Sequence, residues 1–186
     1  VNHAHQQILR VSQIYPEWRT MCTTIVLAVV HENRLYVTHM GDSRAYLLRG
    51  DDIWLLTKDH TWIQDAIDEG FIQPKIAKTH PKRHIVKRFL GIQERIVIDS
   101  SIIVPNSQST GNGGYRTLNY LDLEPGDAIL LCTDGLTEKI EEVEIKRHVR
   151  QHSSRPQKAF YNLIKLALKR KEADNITVLL LKLPET

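Results

Sequence analysis

A chain of 186 residues, 41% hydrophobic and 25% charged with a formal net charge of +3, has the make-up of one soluble globular domain able to bury a full core. Its longest apolar run, Ile25-Val26-Leu27-Ala28-Val29-Val30, is far below the roughly 20 residues of a bilayer-spanning helix, which excludes a membrane-spanning protein. Two cysteines, Cys22 and Cys132, are too few for a disulfide framework or a four-cysteine zinc site and fit a reducing, cytoplasmic compartment; both are expected as small core residues. The first residue is Val1 rather than Met, so the true N-terminus is expected upstream.

From the N-terminus, Val1, Ala4, Ile8, Val11 and Tyr15 recur at helical spacing and predict a helix with one buried face, broken at Pro16. Residues 23–30 are rich in β-branched side chains and predict a strand, turned at His31-Glu32-Asn33. Leu35 with Val37, and Ala45 with Leu47, mark two more strands on either side of Gly41-Asp42-Ser43-Arg44. Arg49-Gly50-Asp51-Asp52 is a hairpin turn into a strand at 53–56. Thr61 caps a short helix to Glu69, with Trp62, Ala66 and Ile67 on its inner face and Gly70 taking the left-handed end.

Residues 71–90 lack a clean period, and their Lys75, Lys78, Lys82, Arg83, Lys87 and Arg88 face no acidic residue. A strand is expected at 96–104, then an exposed loop at 105–114, PNSQSTGNGG. A strand at 127–132 ends at Asp134-Gly135. A helix at 141–149 carries acid at its start and base at its end. A longer helix opens at Ser154 and Pro156 with the apolar stripe Phe160, Leu163, Ile164, Ala167 and Leu168. Asp174-Asn175 precedes a last strand at 176–183. Antiparallel strands with helices at the ends give an α+β layering, without a repeat or linker.

Three acidic turns stand at strand ends: Gly41-Asp42-Ser43-Arg44, Thr133-Asp134-Gly135 and Asp174-Asn175. Carboxylates projected beyond a sheet can converge on a hard divalent cation such as Mg²⁺ or Mn²⁺. Equally, each aspartate can simply close its own turn through the backbone.

The ordered segments Thr23-Thr24, LYVTHMGDSRAYLLRGDDIWLLTKDH (35–60), ILLCTDGLTE (129–138) and ADNITVLLLKL (173–183) resemble the metal-dependent PP2C-type (PPM) serine/threonine protein phosphatases, closest to the compact bacterial members. HPKRHIVKRFLG (80–91) is similar to that group's flap segment. The resemblance implies one domain over residues 1–186 with two packed antiparallel sheets flanked by helices, an αββα sandwich incomplete at its N-terminus. It implies hydrolysis of phosphoserine and phosphothreonine in proteins by a water activated between two Mn²⁺ or Mg²⁺ ions, with no protein nucleophile. It assigns Asp134 and Asp174 as metal ligands and Asp42 to a third, weaker ion. Arg83, Lys87 and Arg88 of the flap become candidate substrate contacts that favour acidic phosphoproteins, the products of a serine/threonine kinase pathway.

The family's early acidic residue, phosphate-binding arginine and DGxGG turn do not occur, and Cys22 stands where glycine is usual; the 105–114 loop looks inserted. Taken alone, the chain is therefore expected to be catalytically silent and to associate with copies of itself through exposed sheet edges. The alternative is a phosphatase-like module that binds without turnover. A nucleic-acid binder is disfavoured, since the basic stretch carries no aromatic stacking series. Zinc is disfavoured because the pairs His80 with His84 and His148 with His152 lack a third ligand. His60, in Lys58-Asp59-His60, is expected to make a structural hydrogen bond.

Overall fold

Each strong local signal forms its element in the computed structural model, which describes residues 1–106, 114–152 and 155–185. The N-terminal pattern is α1 (Asn2–Ile14), closed by a 3₁₀ turn at Pro16–Trp18. Its inner face is the expected one only in part: Val1, Ile8 and Val11 are half-buried, but Ala4 is exposed, Tyr15 is 44% exposed and the one buried residue is His5. The reason is polar, because His5 Nδ1 accepts the Gly91 N–H at 3.2 Å.

Strands β1 (Ile25–His31) and β2 (Arg34–Met40) are joined through Glu32 and Asn33 at φ 47° and 62°, the left-handed pair a tight hairpin needs. Strands β3 (Arg44–Arg49) and β4 (Asp52–Leu55) form the next hairpin, with Leu47 opposite Trp54. Helix α2 (Trp62–Asp68) starts at Thr61, whose hydroxyl accepts the Gln64 N–H at 3.2 Å, and ends at Gly70, φ 75°. It buries Ile63 and Ala66 rather than the expected Trp62 and Ile67, because the Trp62 N–H donates to the Ile85 carbonyl and turns the helix entry. A single turn, α3 (Pro74–Ala77), lies in the aperiodic stretch.

The strand expected at 96–104 is shorter, β5 (Ile102–Pro105), since its antiparallel ladder partner, β6 (Tyr115–Leu118), ends at Leu118 opposite Ile102; upstream, Asp99 makes an isolated bridge with His39. Neither β6 nor the two-residue β7 (Leu121–Asp122) carries an alternation the sequence would betray. Of the expected 105–114 loop, residues 107–113 lie outside the described residues, as does Ser154. Then follow β8 (Ala128–Cys132), α4 (Asp134–Thr137), α5 (Glu142–Gln151), α6 (Pro156–Lys169) and β9 (Val178–Lys182). All described ladders are antiparallel, in the orders β1-β2-β7, β4-β3-β8-β9 and β5-β6, so the α+β class holds. No described helix is long and apolar enough to cross a membrane.

The described chain divides into two compact units interleaved in sequence. One takes Val1–Leu27, Thr38–Ser43 and Lys58–Ser100; the other takes Ala28–Val37, Arg44–Thr57 and the residues from Ser101 on. In the second, Tyr46, Leu48, Leu130 and Cys132 on one sheet face meet Ile145, Val149, Leu163 and Ala167 of α5 and α6. Leu168, expected in that stripe, is 59% exposed. Cys132 is buried as expected, whereas Cys22, ahead of β1, is exposed.

The α5–α6 pair is tied by charge. Arg170 grips Glu144 with two hydrogen bonds of 2.6 and 2.7 Å and donates a third, 2.6 Å, to the Lys139 carbonyl, while Glu144 also accepts the Glu141 N–H in a capping box. The Arg170 hydrogen bonds hold the Glu144 carboxyl down to about 2, from an ordinary 4.5. A folded-state value below the unfolded one contributes stability above about pH 4.5 that is lost as pH falls toward 2. Glu144→Gln is therefore expected to cost about 1 kcal/mol at pH 7, discounted for partial exposure. Urea unfolding should find the difference between the parent and the variant shrinking below about pH 4.5 and vanishing only as pH falls to about 2.

Candidate metal centre

The second unit holds two of the three acidic turns side by side. β8 and β9 run antiparallel with Cys132 opposite Val178, so the turn leaving β8 and the turn entering β9 sit at the same sheet end. Thr133 laces them together: its N–H donates to the Thr177 carbonyl at 3.1 Å, its hydroxyl donates to the Asn175 carbonyl at 3.2 Å, and the same hydroxyl accepts the Thr177 N–H at 3.0 Å. Gly135 completes the contact, because a Cβ there would overlap the Asn175 carbonyl oxygen.

Asp134 is the first residue of α4 and half-buried. Asp174 is exposed, and its Oδ1 accepts the Asn175 N–H at 2.7 Å. This is the backbone closure that turn chemistry alone would produce, and it leaves carboxylate oxygen facing outward for a hard cation. The donor set, two carboxylates on a braced pair of turns, fits Mg²⁺ or Mn²⁺ and not a soft metal. A larger cleft in this unit, about 320 Å³, is lined by Leu48, Val149, Arg150 and Leu180, and neither acidic turn borders it.

In the first unit Asp42 follows Gly41, φ 113°, and is half-buried. Gly41 donates its N–H to His60 Nδ1 at 3.2 Å and accepts the His60 N–H at 2.9 Å. His60 therefore makes the structural hydrogen bond expected of it, a bond that fixes its proton on Nε2, 3.8 Å from Asp99 Oδ2. Burial, beside His39 and Arg88, pushes His60 down to about 4, so the ring is neutral at pH 7.

His39, His60 and Asp99 offer donor atoms within 4.8 Å of one another, a trio the sequence reading missed. The signal was only the HxGD and DH spacing. The imidazoles lie face to face, centroids 4.7 Å apart at 4°. An ion sits near the plane of each imidazole that binds it, and two stacked planes share no such point. With His60 Nδ1 already taken, the trio is a hydrogen-bonded brace rather than a metal site.

The pairs His80 with His84 and His148 with His152 join no third ligand among the described residues. His80 Nδ1 accepts the Lys82 N–H, and His152 Nδ1 bonds the His148 carbonyl.

The basic flap is not unopposed, contrary to expectation. Lys87 pairs with Asp65 of α2 and Lys82 lies 4.9 Å over the Trp62 ring, partners that sequence distance concealed. Lys87 and Arg88 line a cleft of about 220 Å³ with Met40, Asp65, Glu94 and Arg95. Arg83, half-buried, does not line it.

Comparison with known proteins gives the family. Residues 4–66 match the model described as protein phosphatase 2C, and residues 112–184 match that of stage II sporulation protein E. The chain is similar to the serine/threonine protein phosphatase PstP of Mycobacterium tuberculosis, 32% identical over 166 residues, which cover 89% of this chain and 28% of that protein. The crystal structure of PstP/Ppp from Mycobacterium tuberculosis superposes with a TM-score of 0.77 at 30% identity, covering 97% of this chain and 68% of the other. The PstP catalytic domain in complex with two manganese ions gives 0.74 at 27% identity, covering 96% and 66%. The chain spans less than two thirds of the curated relatives it matches, 28% of PstP and 65% of a Listeria innocua phosphatase.

Proposed function

We propose that this chain, which belongs to the protein phosphatase 2C (PPM) family, is the larger part of a cytoplasmic phosphatase domain spanning both of its units, which hydrolyses phosphoserine and phosphothreonine in proteins. The observation that carries the reading is the lacing of the Thr133-Asp134-Gly135 and Asp174-Asn175 turns through Thr133 and Gly135. The family is metal-dependent, and we assign Asp134 and Asp174 to the two-cation centre and Asp42 to a weaker third ion. Bound divalent cations supply Lewis acidity toward water and the phosphoryl oxygens. Thr133 and Gly135 keep the two turns in register, so both carboxylates are placed before any ion arrives and little reorganisation is left to ligand binding.

The substrates fitting such a site are proteins phosphorylated by serine/threonine kinases. The test is hydrolysis of a phosphothreonine peptide by the full gene product with Mn²⁺ or Mg²⁺. Turnover abolished by chelation supports the reading. Full activity in chelator, or a trapped phosphocysteine, overturns it, and phosphopeptide binding without turnover would favour the non-catalytic module.

We assign Arg88, with Arg83 and Lys87, to substrate preference through the flap's positive charge. Arg88→Glu is the cleaner test, since Lys87→Glu also sets a carboxylate against Asp65. Arg88→Glu should reduce turnover of acidic phosphopeptides about three- to fivefold at low salt, with a small phosphate ester changed less than about twofold. Equal effects on both substrates would assign the residue to structure.

A further inference from the structure

We propose that His60 and Thr24 are positioning residues that clamp the Gly41-Asp42-Ser43 turn and so hold the Asp42 carboxylate in place for a divalent cation. The proposal rests on the reading of Asp42 as a ligand of the weaker ion.

The turn needs an external hold. Gly41 sits at φ 113°, and a glycine loses more backbone freedom on ordering than any other residue. His60 meets both of its backbone groups, taking the N–H on Nδ1 at 3.2 Å and giving its own N–H to the carbonyl at 2.9 Å. Thr24 works from the other side. Its Cβ and Cγ2 fill the space a side chain at position 41 would need, and its hydroxyl bonds Ser43 Oγ at 2.9 Å. The residues flanking Asp42 are thus both held, and both are buried.

The clamp is itself braced. His60 stacks on His39, its Nε2 faces Asp99, and its carbonyl accepts the Lys87 N–H at 2.8 Å. His39 Nε2 in turn bonds the Lys58 carbonyl at 2.8 Å. Hydrogen bonds in a site this dry are strong, and His60 is only 7% exposed. Partners that orient a ligating carboxylate typically carry 10- to 100-fold of metal affinity, about the scale expected here.

The side-chain amide of asparagine reaches the place of Nδ1, whereas that of glutamine reaches the place of Nε2 and leaves the Gly41 N–H without an acceptor. On the full gene product, His60→Gln should weaken manganese binding at the weak site about tenfold, and His60→Asn should restore most of it. Hydrogen exchange at the Gly41 amide should rise about tenfold in His60→Gln and stay near parental in His60→Asn. Thr24→Val, which keeps the shape and loses the hydroxyl, should weaken the same ion about threefold and serves if His60→Gln folds poorly.

Asp42→Ala is the control. If it leaves manganese binding unchanged, the ligand reading falls and this proposal with it. If it removes the weak ion while His60→Gln and Thr24→Val bind as the parent does, the ligand reading stands and the positioning role is overturned.

Discussion

Asp174→Ala in the full gene product is expected to lower Mn²⁺- or Mg²⁺-dependent phosphopeptide turnover by on the order of a hundred- to a thousandfold, more than a change to a mere orienting partner costs. The loss should be chemical rather than structural. Asp174 is exposed and its carboxylate closes one local bond, to the Asn175 N–H, so its removal should cost under about 1 kcal/mol of stability. Asp134→Asn should behave alike, since it keeps the shape of α4's first residue and removes only the charge. Asp42→Ala should be milder, with activity recovered at higher manganese. Circular dichroism and a metal titration on the same samples separate the two causes. Near-parental rates in a folded Asp174→Ala protein would end the ligand assignment.

The largest effect on stability is expected at Arg49. Its guanidinium meets Asp127 through two bonds, 3.0 and 2.6 Å, reaches Glu124 at 2.7 Å and donates to the Asp122 carbonyl at 2.8 Å. The Asp127 side chain is 1% exposed and also accepts the Glu124 N–H at 2.8 Å. Arg49→Met leaves that carboxylate buried without its cation and should cost about 3–5 kcal/mol. Asp127→Leu leaves Arg49, which is 20% exposed, to Glu124 and water, and should cost less. The pair Arg49→Met with Asp127→Leu should recover much of the larger loss, because removing both charges also removes their desolvation. Urea unfolding of the four proteins measures the coupling. Additive losses would show that the pair contributes little as a pair.

What the sequence exposed and what it hid divide along one physical line. Thr61 as a cap, the Arg49–Asp52 hairpin and the α5 dipole pattern are local, decided within a few residues by backbone geometry, and they were legible. So were the turns that carry Asp134 and Asp174, because each adjoins a short continuous apolar run, Ala128–Cys132 or Val178–Leu181. The hidden features all depend on partners far along the chain. Lys87 finds Asp65, Arg49 finds Asp127 and His39 finds His60 only after folding, so the flap charge looked unopposed and the histidine brace looked like two separate motifs. The buried faces of α1 and α2 were legible only in part for the same reason. Hydrogen bonds to Gly91 and Ile85, not apolar spacing, set how those helices enter.

The partition of the chain into two interleaved units also distributes its chromophores. Of the three tryptophans, Trp18 and Trp62 lie in the first unit, and Trp54, under the Arg49 guanidinium at 5.6 Å, is the lone indole of the second. Replacing Trp18 and Trp62 by phenylalanine leaves an emission that reports the unit holding Asp134 and Asp174. Replacing Trp54 leaves one that reports the unit holding Asp42. Two fluorescence melts on two proteins then read the halves separately. Coincident midpoints would mean the halves melt as one cooperative body, and separated midpoints would mean the carboxylates of the two halves can be lost at different temperatures.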